Sequence, residues 1–181
     1  MKLKKIALPT IMTSFLLLIG YSQNTEYVMS QGETLNDFAN RIIPAGMKLA
    51  HPVVKGDFGP TEGNVVVLFH KNDADFTTGW VLIPEGNKYK KFILPTPDFQ
   101  IVPTILSVFF ANADTNADRE LLILAEYYSG AGGRGPWYNV YVYHLTGEKL
   151  IHLDDISEEL SDQVKYRTAQ AVRRRLKELG Y

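Results

Sequence analysis

The 181-residue chain contains no cysteine. A disulfide framework, a thiolate nucleophile and a thiolate metal site are therefore excluded. Net charge is also nearly absent, because 19 basic and 20 acidic residues leave a formal charge of −1. Such a balance gives no electrostatic case for a nucleic-acid partner. The fold must then be stabilised by its hydrophobic core, for which 45% hydrophobic residues are ample.

A long apolar run is lacking as well. The longest, residues 6–19, is interrupted by Pro9 and by hydroxyl side chains, and it falls short of the about 20 residues of a membrane span. Three lysines precede it, and small residues stand at the −3 and −1 places of a signal-peptidase site before Gln23. We therefore predict that residues 1–22 are a signal peptide and that the mature chain is periplasmic or secreted, without membrane insertion. An uncleaved N-terminal anchor is the alternative.

The mature chain is predicted to have a disordered N-terminus, residues 23–30, followed by one β-rich globular domain, residues 31–181. Leu35, Phe38 and Ile42 recur at helical spacing, which indicates an N-terminal helix. Short β-like runs separated by turn residues then predict strands at 65–70, 79–84, 89–94, 105–110, 121–128, 138–145 and 149–153.

Short connections between these runs favour antiparallel pairing. The predicted fold class is α+β: an antiparallel sheet of about six to seven strands with an N-terminal and a C-terminal helix. The C-terminal helix is predicted over 155–179, with Thr168 capping a second segment and Gly180 as the C-terminal cap.

Strand 138–145 is apolar or aromatic on both faces, which is typical of a central strand. If Thr146 and Gly147 form the following turn, His152 lies opposite Tyr141 and His144 lies apart from it. None of the four histidines of the chain falls in an H-x-x-x-H or H-x-H arrangement, so they are interpreted as sheet-surface residues and not as ligands.

Oxygen-bearing side chains occupy alternate positions of one polar loop: Asn112, Asp114, Asn116, Asp118 and Glu120. Alternate positions in a tight loop can direct several oxygens at one hard cation, which predicts a Ca²⁺ site. The segment resembles the calcium loop of FG-GAP and VCBS-type repeats, although Ala117 replaces the usual glycine and Asn112 the leading aspartate. The alternative is a polar turn whose side chains cap their own backbone.

A glycine-rich segment, residues 129–136, follows the next strand and lacks the ending of a phosphate-binding loop. Aromatic and arginine side chains dominate binding hot spots, so Tyr128, Arg134 and Trp137 are predicted to contact a partner. A passive hairpin loop is the alternative. The run of three arginines at 173–175 is interpreted as a solvated helix face.

The segments 108–121 and 138–143 together are similar to uncharacterised exported proteins of Gram-negative bacteria, a resemblance that implies a compartment and no activity. No catalytic residues are predicted. The first hypothesis is a non-enzymatic module that binds a protein or a glycan. The alternatives are an inhibitor or immunity protein acting through the glycine-rich loop, and a hydrolase whose residues converge only in three dimensions.

Overall fold

The computed structural model describes residues 27–95, 103–128, 136–147, 149–161 and 167–181. Within these ranges the chain forms nine strands and three helices, and the strands pair antiparallel. The predicted α+β architecture is confirmed in outline. The predicted single sheet of about six to seven strands is wrong, because the strands form one sheet of five and another of four. The predicted signal peptide lies outside the described residues.

The first sheet is centred on its third strand. Its strands are β1 (Lys48–Leu49), β2 (Val54–Phe58), β3 (Thr61–Lys71), β4 (Thr77–Glu85) and β5 (Lys88–Ile93). β1 and β2 pair with the same edge of β3, and β4 and then β5 follow on its other side. The sequence pattern missed β1 and β2, because β1 has only two residues and β2 carries a glycine and two charged residues in its five positions.

The second sheet contains β6 (Thr104–Ala111), β7 (Glu120–Tyr127), β8 (Trp137–Thr146) and β9 (Lys149–His152), in that order. The two apolar faces predicted for β8 are confirmed, since alternate side chains enter different core clusters. The predicted register of the last hairpin is wrong. Thr146 pairs with Lys149, so His152 lies opposite Tyr143 instead of Tyr141. Gly147, at φ 57°, begins the turn, a conformation that glycine adopts without strain.

The two sheets pack face to face through one hydrophobic cluster. The first sheet contributes Val65, Val67, Phe69 and Val81, and the second contributes Val108, Phe110, Leu121, Ile123 and Tyr143. β2 and β6 adjoin along one side of this sandwich. There, a Cβ atom on Gly56 would lie 2.6 Å from the ring of Phe110, so the close approach requires a residue without a side chain.

Helices cover both outer faces. α1 (Leu35–Ile42), capped by Thr34, buries Phe38 and Ile42 against the first sheet. α2 (Asp154–Ser161) and α3 (Ala169–Leu179) pack on the second sheet in one cluster. The predicted caps of α3, Thr168 and Gly180, are confirmed. Among the described residues, no helix combines the length and the apolar character needed to cross a bilayer.

α2 also completes the hydrogen bonding of β8. In the described part of the chain, β9 pairs only with the last residues of that strand, and backbone groups nearer its middle have no strand partner on this side. Oγ of Ser157 accepts a hydrogen bond from the N–H of Val142 at 3.0 Å, and Oγ of Ser161 accepts one from the N–H of Val140 at 3.0 Å. Their spacing of four residues places both hydroxyls on one face of the helix.

Candidate ligand groove and candidate metal centre

A groove of about 940 Å³ runs along the side of the sandwich where β2 and β6 adjoin, and α3 forms its third wall. We call it the basic groove. Its floor is apolar and is formed by Val108, Phe109, Phe110 and Leu176. Five basic side chains surround this floor: Lys55, Arg119, Arg173, Arg174 and Lys177. Among the described residues that line the groove, Asp57 is the single acidic side chain.

Two of the five basic side chains have a partner. The guanidinium of Arg173 lies 4.8 Å from the ring centroid of Phe109, and Arg119 forms an ion pair of 3.4 Å with Asp57. The other three, Lys55, Arg174 and Lys177, make no ion pair within the described residues. The groove therefore holds an excess of positive charge in a chain whose formal net charge is −1.

The interpretation of the arginine run as a solvated helix face describes only part of its environment. Arg173 and Arg174 are exposed, as expected for a solvated helix face, but they also form one wall of the groove. Lys55 and Arg119 carried no signal, because they are far from α3 along the chain.

Three side chains with metal-ligating atoms converge beside the loop between β6 and β7. Asp114 belongs to this loop, Glu120 begins β7, and His144 lies on the neighbouring strand β8. Nδ1 of His144 is 3.0 Å from Oε1 of Glu120 and 3.9 Å from Oδ2 of Asp114. One ligating atom from each residue lies within 4.8 Å of the other two. We call these three residues the loop cluster.

The strand register explains why His144 joins this cluster. Leu121 pairs with Tyr143, so Glu120 and His144 occupy the next position along the same two strands. The sequence analysis did not connect His144 with the acidic loop, because it considered only the hairpin that follows β8 and not the pairing of β8 with β7. The interpretation as a sheet-surface residue is wrong for His70, which is buried.

Glu120 is fully buried, and both of its oxygens are engaged. Oε2 accepts a hydrogen bond of 2.7 Å from the backbone N–H of Ala113, and Oε1 faces His144. Burial raises the pKa of Glu120, whereas the contacts with His144 and Ala113 lower it. The nearby carboxylate of Asp114 raises it further. A buried carboxylate that is only partly compensated favours an additional positive charge.

The other predicted ligands serve the loop backbone or lie outside the cluster. Asp114 accepts hydrogen bonds of 2.8 and 2.7 Å from the backbone and side-chain nitrogens of Asn116, and Asn116 accepts one of 2.7 Å from the N–H of Asp118. Asn112 is exposed and lines the basic groove. The structure thus brings Asp114 and Glu120 together, while Asn116 stabilises a polar turn.

The loop cluster meets only part of what Ca²⁺ requires. Ca²⁺ takes six to eight oxygen ligands, whereas the cluster offers two carboxylates and one imidazole nitrogen. A mixed nitrogen and oxygen set of this kind is typical of Zn²⁺ and related ions. Calcium binding by the wider loop stays a prediction.

The aromatic residues beside the glycine-rich segment have different environments. Tyr128 is 68% exposed. Trp137 is half-buried, packs against the inner core and stacks on Tyr127 with ring centroids 5.5 Å apart. Arg134 lies outside the described residues. Of the predicted partner-binding residues, Tyr128 is therefore the one whose ring is free to contact another molecule.

A serine, a histidine and an aspartate also contact one another as in serine hydrolases, with the histidine between the other two. Oγ of Ser157 is 3.1 Å from Nε2 of His152, whose Nδ1 is 2.6 Å from Oδ1 of Asp154. Ser157 is buried, however, and its hydroxyl donates to the carbonyl of Leu153 at 2.7 Å while accepting from Val142. A nucleophile must reach substrate and pass its proton to the histidine. This hydroxyl instead joins α2 to β8.

No protein-family model, curated protein or solved structure matches this chain.

Proposed function

We propose that this chain is an exported, non-enzymatic binding module whose basic groove holds an acidic segment of a protein partner. The observation that supports the proposal is the combination of an apolar floor with five basic side chains in one groove. A ligand that carries carboxylates would find complementary charge there, which favours fast and selective association. The groove volume of about 940 Å³ is of the size that ligand sites have.

The position of the groove favours an extended peptide. β2 pairs only with β3 and β6 only with β7 in the described part of the chain, so both are edge strands. An edge strand presents unpaired backbone groups to which a peptide can add by main-chain hydrogen bonds. The apolar floor between these edges would accept an apolar side chain, while the basic residues bind its acidic neighbours.

An inhibitor or immunity protein is a special case of this proposal, in which the acidic partner is an enzyme. The glycine-rich loop that the sequence analysis assigned to such a contact lies outside the described residues. The hydrolase alternative gains no support from Ser157, because its hydroxyl is committed to the contact between α2 and β8.

The proposal is tested with a fluorescent peptide that alternates glutamate and valine, its binding to the mature chain measured by anisotropy. A peptide of the same length with lysine in place of glutamate is the ligand control. We expect only the acidic peptide to bind, with an affinity that falls as salt is added. Arg174→Glu combined with Lys177→Glu should weaken binding by at least about tenfold, which corresponds to about 1.4 kcal/mol.

A matched variant carries the same charge change outside the groove: Lys88→Glu combined with Lys149→Glu, at two exposed positions. It should bind the acidic peptide nearly as well as the unmodified chain. Equal weakening by both double variants would reduce the effect to overall charge and would refute the groove as the site. Equal binding of the acidic and basic peptides would refute an acidic partner.

A further inference from the structure

We infer that the loop cluster binds one divalent transition-metal ion of the Zn²⁺ class, with Asp114, Glu120 and His144 as its three protein ligands. This inference does not depend on the proposed function, since the loop cluster and the basic groove share no residue. The proposed site differs from the calcium loop expected from the sequence. The calcium loop would use only oxygen ligands from one loop, whereas the proposed site adds a histidine nitrogen from a neighbouring strand.

The distances suit a tetrahedral ion. Bonds of about 2.0–2.1 Å to nitrogen and oxygen place adjacent ligand atoms about 3.3–3.4 Å apart in a tetrahedron. The two measured distances from Nδ1 of His144, 3.0 Å to Glu120 and 3.9 Å to Asp114, lie on either side of this value. Side-chain adjustments of about half an ångström would therefore bring Nδ1 to the tetrahedral distance from both carboxylates, whose ligating oxygens lie within 4.8 Å of each other.

The surroundings hold the two carboxylates in orientation. The second oxygen of Glu120 is fixed by the backbone N–H of Ala113, and the second oxygen of Asp114 is fixed by the backbone N–H of Asn116. Outer contacts of this kind orient ligands in established metal sites. Oε1 of Glu120 and Oδ2 of Asp114 then face His144, and Oδ2, which also accepts a hydrogen bond of 2.7 Å from Nδ2 of Asn116, keeps a second lone pair for an ion.

The charges and the solvent exposure of the three side chains also favour a bound ion. Glu120 has no exposed side-chain surface, whereas His144 and Asp114 retain 17% and 26% of theirs. A divalent ion would neutralise the two adjacent carboxylates, and it could reach them from the partly open side. Three protein ligands leave the fourth tetrahedral position to a water molecule on that side.

The test uses the untagged mature chain, freed of metal with EDTA and titrated with ZnCl₂ in a calorimeter. We expect one ion per chain and a higher melting temperature in excess Zn²⁺. His144→Gln keeps a side chain able to hydrogen-bond Glu120 but removes the imidazole ligand. This variant and Asp114→Asn should each weaken Zn²⁺ binding by at least about tenfold. His51→Gln, at a histidine outside the cluster, should bind like the unmodified chain.

Three kinds of result would contradict the proposed metal site. Absence of Zn²⁺ binding by the unmodified chain would overturn it, and so would unchanged binding by His144→Gln or Asp114→Asn. A melting temperature raised by Ca²⁺ but not by Zn²⁺ would overturn it in favour of the oxygen-only loop. Co²⁺ substitution adds a direct readout, since its visible absorption reports the ligand set and should change in His144→Gln.

Discussion

The hydroxyl of Ser157 accepts a hydrogen bond from the backbone N–H of Val142 at 3.0 Å. A helix side chain thereby replaces the missing strand partner on this edge of β8. Ser161 repeats the arrangement one helical turn later, with the N–H of Val140 as donor. Because an unpaired buried backbone group is costly, these two serines connect the position of α2 to the stability of the second sheet.

Replacement of Ser157 by alanine should therefore destabilise the fold. The buried N–H of Val142 would lose its acceptor, at a cost of about 1–3 kcal/mol. Urea unfolding of the variant gives the measurement, with Glu159→Ala on the exposed side of α2 as the control. A variant as stable as the unmodified chain would show that water or a backbone shift satisfies Val142.

Acidification should destabilise the fold through His70. Burial lowers the pKa of this imidazole below its ordinary value of 6.5, and the charge of Lys91 lowers it further. Neither ring nitrogen has a hydrogen-bond partner among the described residues. The unfolded state therefore takes up a proton more readily than the folded state. The contribution of His70 to the free energy of unfolding is thus constant well above pH 6.5, falls as the pH is lowered through this value, and levels off below the folded-state pKa.

His70→Phe keeps a ring against Trp80 and removes the titration. Urea unfolding above and below pH 6.5 should show a weaker pH dependence in this variant than in the unmodified chain. Some dependence should remain, because burial also lowers the pKa of His51. An identical pH dependence in both proteins would assign the acid sensitivity to other groups.

Tyr128 and Trp137, both predicted partner contacts, should respond differently to alanine. Trp137→Ala removes the stack on Tyr127 and the packing against the inner core, and we expect a loss of about 2–4 kcal/mol. Tyr128→Ala changes an exposed ring and should cost less than about 0.5 kcal/mol. Thermal melts of both variants give the comparison. A melting temperature unchanged by Trp137→Ala would show that the ring adds little to the core and would favour its predicted contact with a partner.

The mature N-terminus is expected at Gln23, because small residues occupy the −3 and −1 positions before it. Intact-mass analysis of exported material should find a chain that begins there, with or without cyclisation of the glutamine. Recovery of a chain that still carries Met1 would support the uncleaved anchor instead.

Local patterns were sufficient for most of the secondary structure. The caps of α3 follow from Thr168 and Gly180 themselves, and the two faces of β8 follow from side-chain alternation. β2 was not predicted, because the contact that favours it is made with a residue distant in the sequence. The strand accepts Gly56, a poor strand residue, since the ring of Phe110 fills the space that a side chain would occupy.

The same distinction between local patterns and distant contacts applies to the candidate sites. The acidic loop was found from sequence, because its alternate polar residues are adjacent along the chain. His144 was not, because its contact with Glu120 depends on the register between β7 and β8, whose connection is too long for a turn pattern to fix that register. Lys55 and Arg119 could not be grouped with α3 by any linear pattern.

By itself, the sequence determined the properties that depend on near neighbours: the absence of cysteine chemistry, the periods of helix and strand, the helix caps and the alternating oxygen-bearing side chains from Asn112 to Glu120. Only the tertiary structure decided that the strands divide into two packed sheets, that a histidine completes the loop cluster, and that basic residues from three segments share one groove. The physical reason is that hydrogen-bond register and core packing join residues distant in the chain, and neither leaves a periodic signal in the sequence.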